Sequence, residues 1–302
     1  VDTELDRTGT LYLAFNDNDV AEIHKRFKWQ QKAGFSVEHL STEEMRRAEP
    51  LVSPFVREAL FFPSDWQVEN RKLIAALKCY AEMNGIEILE KTLVEKLIIE
   101  NDSVVGAKTN AGIVNADMTA VATGAWTSLI KLGDTDMPVK IEPVRGQIVA
   151  FQAAKRLFQY VICSRRGYIV PRSAGRILAG STSENVGFDK SVTESAALSL
   201  REMACEITPC IVDLPIADRW AGLRPYASDG LPVLGSISGL DGLFMATGHY
   251  RNGILLAPLT AKLTAEKLIN GKDSDYFDTF GAERFNFRGV GRSEGIQGGG
   301  DE

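Results

Sequence analysis

The chain is short of histidine and cysteine. Three histidines, His24, His39 and His249, and four cysteines, Cys79, Cys163, Cys205 and Cys210, stand among 302 residues. So few histidines argue against a histidine-rich metal site and leave a Ser-His-Asp triad little to draw on, so no metal is expected. The cysteine spacings match no zinc or redox signature, and the thiols are expected reduced and structural. Positive charge is also in deficit: 34 Lys and Arg against 40 Asp and Glu give a net charge of −6, with a pI near 5.3. That balance argues against nucleic acid and anionic membranes as partners, because both need basic patches. A small anionic substrate stays open if arginines gather locally. No apolar run reaches the ~18 residues of a membrane span. The acidic start Val1-Asp2-Thr3-Glu4 is not a signal peptide, and a cytoplasmic location is expected.

What is present is ordinary globular material, 44% hydrophobic and 25% charged, enough for one large or two ordinary domains. The chain is organised around the stretch from Gly248 to Pro258. The apolar run Leu243-Phe244-Met245-Ala246-Thr247 reads as a buried strand, and after Gly248 a helix is expected over about 252–270. Arg251 falls beside the positive end of that helix, where a cation is disfavoured by roughly 0.3–1 kcal/mol. Either an anion sits between the two, or Arg251 points into solvent.

Taken in order, a strand at 10–15 precedes Asn16-Asp17-Asn18-Asp19, which can cap a helix over 20–33. Ser41-Thr42-Glu43-Glu44 has capping-box spacing and should open a helix ending before Pro50. Residues 59–62 read as a strand. Leu73, Ile74, Leu77, Tyr80 and Ala81 make the apolar stripe of a helix over 68–84, stopped by Gly85, and residues 86–89 look like a short strand. Strands at 94–99, 104–109 and 113–122 follow, separated by turns at 101–103 and 110–112. The last ends in Ala122-Thr123-Gly124-Ala125-Trp126, with a short helix after it. A small-residue turn at the carboxyl end of a buried strand is where open α/β sheets hold ligands, although such a glycine often serves the turn alone. Beyond Pro138 the texture changes to alternating strands at 140–151, 160–163, 168–171 and 177–180, as in one face of an antiparallel sheet. A helix over about 191–208 leads to Trp220-Ala221-Gly222-Leu223-Arg224-Pro225 and a turn at Ser228-Asp229-Gly230. The glycine-rich stretch 284–302 reads as a flexible tail.

Five blocks together carry a resemblance: Gly124-Ala125-Trp126; Pro143-Val144-Arg145-Gly146-Gln147; Tyr168-Ile169-Val170-Pro171-Arg172 with Gly175-Arg176 and Gly180-Ser181-Thr182; Ala221-Gly222-Leu223-Arg224-Pro225 with Asp229-Gly230-Leu231-Pro232; and Gly248-His249-Tyr250-Arg251-Asn252-Gly253. In order and spacing they resemble the FAD-dependent D-amino-acid oxidase family, in particular its glycine oxidases of the thiamine-biosynthesis type, over residues 1 to about 280. The resemblance implies an α/β (α+β) fold. Residues 63–138 and 217–283 would form part of a Rossmann-like FAD domain, and residues 1–62 and 139–216 a substrate domain with a large mixed or antiparallel sheet. One feature of the family is not found: the strand, G-x-G-x-x-G turn and helix that seat the FAD pyrophosphate. Gly289-Val290-Gly291 follows no strand and is a poor substitute. The expectation is that the chain is a fragment, or that a companion segment supplies this unit.

By the same resemblance Arg224 would clamp the substrate carboxylate, with Arg251 and Tyr168 completing the catalytic pocket. A planar guanidinium suits a carboxylate, which it grips through two parallel hydrogen bonds. Taken singly, Arg224 would read as a surface ion-pair residue and Tyr168 as a packed strand aromatic. Val94 would contact the adenine through its backbone, Gly124 would lie near the cofactor, and His249, Tyr250, Arg251, Asn252, Gly253, Ile254 and Leu255 would wrap the flavin edge. No cysteine stands near Gly222-Leu223-Arg224, so FAD is expected to be non-covalent. The implied activity is oxidative deamination of glycine or a small D-amino acid to the 2-oxo acid and ammonia, with molecular oxygen as acceptor giving hydrogen peroxide. The resemblance also leaves room for a sarcosine oxidase, a D-amino-acid dehydrogenase or a non-catalytic subunit, and for a homo-oligomer.

Overall fold

The structure is a computed structural model that describes residues 1–285. Gly289-Val290-Gly291 and nearly all of the segment expected to be flexible lie outside the described residues. The first residue of that segment is anchored: Arg284 donates to the carbonyls of Phe280 (2.6 Å), Leu231 (3.0 Å) and Pro232 (2.8 Å).

The chain gathers into two units, the first made of Val1–Ile88, Arg145–Glu184 and Asp189–Gly222, the second of Leu89–Val144, Asn185–Phe188 and the chain from Leu223. Residues 63–88 group with the first unit, whereas the resemblance assigns 63–138 to the FAD domain. The tethers are specific. Glu69 donates its N–H to the Thr3 carbonyl at 3.0 Å, Lys72 pairs with Glu4 at 2.5 Å, and the Arg71 guanidinium lies 4.2 Å from the Trp220 ring centroid.

In the first unit an eight-stranded sheet runs in the order Ile216–Ala227, Ile141–Gln152, Arg176–Gly180, Tyr168–Pro171, Val161–Cys163, Thr10–Ala14, Glu58–Phe62, Glu38–Leu40. Thr10–Ala14 lies parallel to Val161–Cys163 and antiparallel to Glu58–Phe62, so the sheet is mixed. The period of two sends Val149 and Phe151, Ile162, Ile169 and Ile177 to one buried face. The helix Glu194–Ile207 lays Ala197, Leu200, Met203, Ala204 and Ile207 on the same core. Each large apolar side chain so buried contributes about 1.5–3 kcal/mol relative to exposure. The Thr193 side chain caps this helix by accepting from the Ala196 N–H at 3.3 Å.

The capping signals lie where the sequence puts them. Asn16 Oδ1 accepts from the Asp19 N–H at 3.1 Å, and its helix, Asp17–Lys32, begins three residues earlier than expected. Both bonds of the Ser41 and Glu44 capping box are made. The helix Asn70–Met83 also forms, yet none of its residues is buried. Residues 86–89 form no strand; this short apolar alternation finds no sheet edge, and Ile86, Ile88 and Leu89 stay exposed. Ile216–Ala227, to which the sequence assigns no element, is a 12-residue edge strand, a place where proline is tolerated.

In the second unit Leu240–Thr247 is flanked antiparallel by Val233–Ile237 and parallel by Thr119–Val121, while Val94–Glu100 pairs antiparallel with Ser103–Thr109. Its core holds Leu97, Val104, Val121, Leu132, Met137, Val233, Leu243 and Met245. The single strand expected over 113–122 is two. Gly112–Asn115 pairs with Ser103–Thr109 and Thr119–Val121 with Leu240–Thr247, so the chain changes partners around Ala116 and Asp117. The helix Gly253–Asn270 ends at Gly271, whose left-handed φ of 65° lets its N–H return to Lys267 O.

Candidate functional site

Two strand ends build the site in the second unit. Thr119–Val121 and Leu240–Thr247 run parallel, with Val121 beside Met245. Each leaves its carboxyl end through small residues, Ala122-Thr123-Gly124 and Ala246-Thr247-Gly248. Gly124 has φ +54°, and a Cβ there would meet nothing within 4 Å, so its backbone is open to a close neighbour. Buried hydroxyls tie the two ends together: Thr127 Oγ1 lies 2.9 Å from Thr247 Oγ1 and donates to Gly124 O at 2.8 Å.

Gly248, at φ +74°, holds a left-handed conformation that L side chains rarely adopt, and a Cβ there would also crowd a Val233 methyl at 3.2 Å. His249 follows, then Tyr250 in the left-handed region at φ 48°, and a 3-10 turn over Tyr250–Asn252 leads into the helix at Gly253. The helix therefore starts one residue later than expected. Arg251 stands in the turn before it, exposed, with its guanidinium 5.5 Å from the Tyr250 ring centroid. His249 Nε2 is 2.9 Å from Thr260 Oγ1. Burial pushes its pKa below the ordinary histidine value and favours the neutral ring.

Arg224 is half-buried on the strand Ile216–Ala227. Two residues on, and so on the same strand face, Tyr226 forms a bridge with His249 and packs edge-to-face against Tyr250 at 5.1 Å. Tyr226 thus ties the strand that carries Arg224 to the turn that carries Arg251. Sequence reasoning missed Tyr226; its only signal was adjacency to the Arg224-Pro225 block. It also missed a cavity of about 540 Å³ between these strands and the helix, lined by Ala120, Ala122, Ala246, Gly253, Ala257 and Ala261 among others. Leu255 is 77% exposed. Val94 opens the strand Val94–Glu100, where Leu93 N–H donates to Asn110 Oδ1 at 2.9 Å.

Tyr168 belongs to the first unit, on the strand Tyr168–Pro171 opposite Gly180. A Cβ at Gly180 would lie 2.6 Å from Tyr168 Oη, so the glycine gives the ring its place. Arg145 of the Pro143–Gln147 block is buried and paired through its two terminal nitrogens with Asp189 (2.6 Å) and Glu184 (2.7 Å). The four cysteines are free. Burial raises the Cys163 thiol to about 12, far from a reactive thiolate. Among the described residues no helix is long and apolar enough to cross a membrane.

Parallel strands that end in small-residue turns, one of them leading into a long helix, have the form in which open α/β sheets hold ligands. The family of FAD dependent oxidoreductases called DAO matches residues 1–267. The glycine oxidase of Pseudomonas aeruginosa is 33% identical over 275 residues, 90% of this chain and 73% of that protein. The solved glycine oxidase from Bacillus cereus ATCC 14579 superposes with a TM-score of 0.87 at 32% identity, covering 93% of this chain and 77% of that one. The solved L-proline dehydrogenase from P. horikoshii gives 0.83 at 26% identity, covering 94% and 78%. The chain belongs to the DAO family of FAD-dependent oxidoreductases, and its cofactor is FAD. The residues present fit that group: an open backbone at Gly124, a left-handed turn at Gly248 and Tyr250, and a wall of alanines that lets a flat ring approach the strands.

Proposed function

We propose that this chain carries out FAD-dependent oxidative deamination of glycine or a small D-amino acid, yielding the 2-oxo acid, ammonia and, with oxygen as acceptor, hydrogen peroxide. The observation that carries this reading is that Tyr226, on the strand that bears Arg224, packs on Tyr250 in the turn that bears Arg251, beside the start of the helix Gly253–Asn270. Arg224 grips the substrate carboxylate with two parallel hydrogen bonds, and Arg251 adds a second positive charge. By the resemblance Tyr168 also counts among the substrate-binding residues. The segment His249 to Leu255 and the Gly124 turn line the non-covalently held cofactor, and Val94 presents its backbone to the adenine. FAD held there would supply the oxidising power, as acceptor of a hydride from the substrate α-carbon. The imine so formed hydrolyses in water. The protein's share is orientation, so no general base is required. A companion segment bearing the G-x-G-x-x-G turn fits the alanine-lined cavity, whose small side chains admit close backbone approach. The likeness to glycine oxidases of the thiamine-biosynthesis type supports glycine as substrate and a cytoplasmic setting.

The likeness to an L-proline dehydrogenase favours a second reading with an acceptor other than oxygen. Product analysis with and without oxygen separates the two. The assignment of Arg224 is tested by Arg224→Ala in the flavin-loaded protein. Loss of a charge-assisted pair worth roughly 1.5–3 kcal/mol should raise KM for glycine on the order of 10- to 100-fold while flavin stays bound. An unchanged KM would refute the clamp.

A further inference from the structure

Two of the three histidines, which the sequence alone gives no reason to pair, meet at one carboxylate far along the chain. His24 lies on the helix Asp17–Lys32, His39 on the edge strand Glu38–Leu40, and Glu58 opens the strand Glu58–Phe62. Both Nε2 atoms reach the same oxygen, Glu58 Oε2, at 2.6 Å from His24 and 2.7 Å from His39. The three ligand atoms lie within 4.8 Å of one another. We propose that His24, His39 and Glu58 form a surface site for a divalent transition cation of the zinc class, unrelated to the flavin chemistry.

The donor set selects the ion. Two imidazoles and one carboxylate suit zinc, nickel or copper, whereas magnesium and calcium prefer oxygen ligands throughout. Zinc bonds of about 2.0–2.2 Å place tetrahedral ligand atoms roughly 3.4 Å apart, so the two imidazoles need to open from Glu58 by less than an ångström. The groups are already aimed. The histidine rings meet edge-to-face at 5.4 Å, and Phe27 packs against His39 at 6.1 Å, which limits how far the rings can turn. The side chains are 48%, 36% and 28% exposed, so an ion enters directly from solvent and water can fill the remaining positions. Because the ligands come from a helix and two strands, the ion would also fasten the helix Asp17–Lys32 to the edge of the sheet.

The test is a competition titration of the chelator-treated full chain with Zn²⁺ against a chromophoric chelator, read beside thermal melting. One equivalent should bind, and the melting midpoint should rise with Zn²⁺. His24→Ala and His39→Ala should each weaken binding at least about tenfold, and the double variant should lose both the site and the Zn²⁺-dependent rise. Glu58→Gln, which keeps the side-chain shape, should weaken binding while leaving the metal-free midpoint close to that of the parent. No uptake by the parent chain would overturn the proposal. So would uptake unchanged in the double variant, which would place the ion elsewhere, for example on the exposed Cys79.

Discussion

Two helices carry apolar residues at helical spacing, and only one of them hides those residues. Glu194–Ile207 buries six of its 14 residues, Ala196, Ala197, Leu200, Met203, Ala204 and Ile207. Gly253–Asn270, with 18 residues and a more apolar composition, buries Leu263 alone. The first lies on alternating strand residues that match its stripe, and its task is stability. The second presents alanines and threonines to an open cavity that Ala122 and Ala246 also line, and its task in the proposed function is to receive the cofactor and the segment that seats it. Periodicity announces a face to be covered and does not name the cover. The helix Asn70–Met83 makes the same point, with Ile74, Leu77 and Tyr80 more than half exposed.

The largest effect in this comparison is expected on the closed helix. Leu200→Ala removes a side chain only 5% exposed and should cost about 2–5 kcal/mol in urea unfolding. The same truncation on the open helix, Leu255→Ala, should stay within about 0.5 kcal/mol. A large loss at Leu255 would break the distinction between the two faces. Next in size is a change that should touch binding alone. Ala261→Phe fills the cavity with a bulky ring and should weaken flavin retention at least about tenfold, or roughly 1.4 kcal/mol, while the urea midpoint moves little. Full flavin retention in that variant would remove the cavity from the cofactor site.

The smallest effect concerns His249, whose burial favours the neutral ring in the folded state. The unfolded chain then binds more protons, so this group's contribution is present above the ordinary histidine value near 6.5 and is lost as pH falls through the lower folded value. His249→Gln removes that dependence. The parent should therefore lose more of its melting temperature than the variant between about pH 7 and pH 5. Parallel curves would show that the ring is not held neutral.

Local chemistry was the legible part of the fold. The Asn16 and Ser41 caps, the Gly85 stop and the turn at Gly248 each follow from one short motif, and the structure shows all of them. Partnering was not legible, because it is decided across long stretches of chain. Residues 113–122 read as one strand, yet their two halves pair with different neighbours. Residues 86–89 have the alternation of a strand and no edge to join. Around the candidate site, Arg224, Arg251 and Tyr168 stood out only as members of a motif set. Tyr226, which links Arg224 to the turn at Tyr250, was invisible because its contact spans 24 positions. The convergence of His24 and His39 on Glu58 was hidden for the same reason.

The most direct test of the central claim is the visible spectrum of the purified chain, reconstituted with FAD and, if it remains colourless, with a segment carrying the G-x-G-x-x-G turn, followed by anaerobic addition of glycine and of small D-amino acids. The account predicts a flavin spectrum that bleaches on addition and returns with air. A flavin-loaded protein that stays oxidised with every such substrate would contradict it.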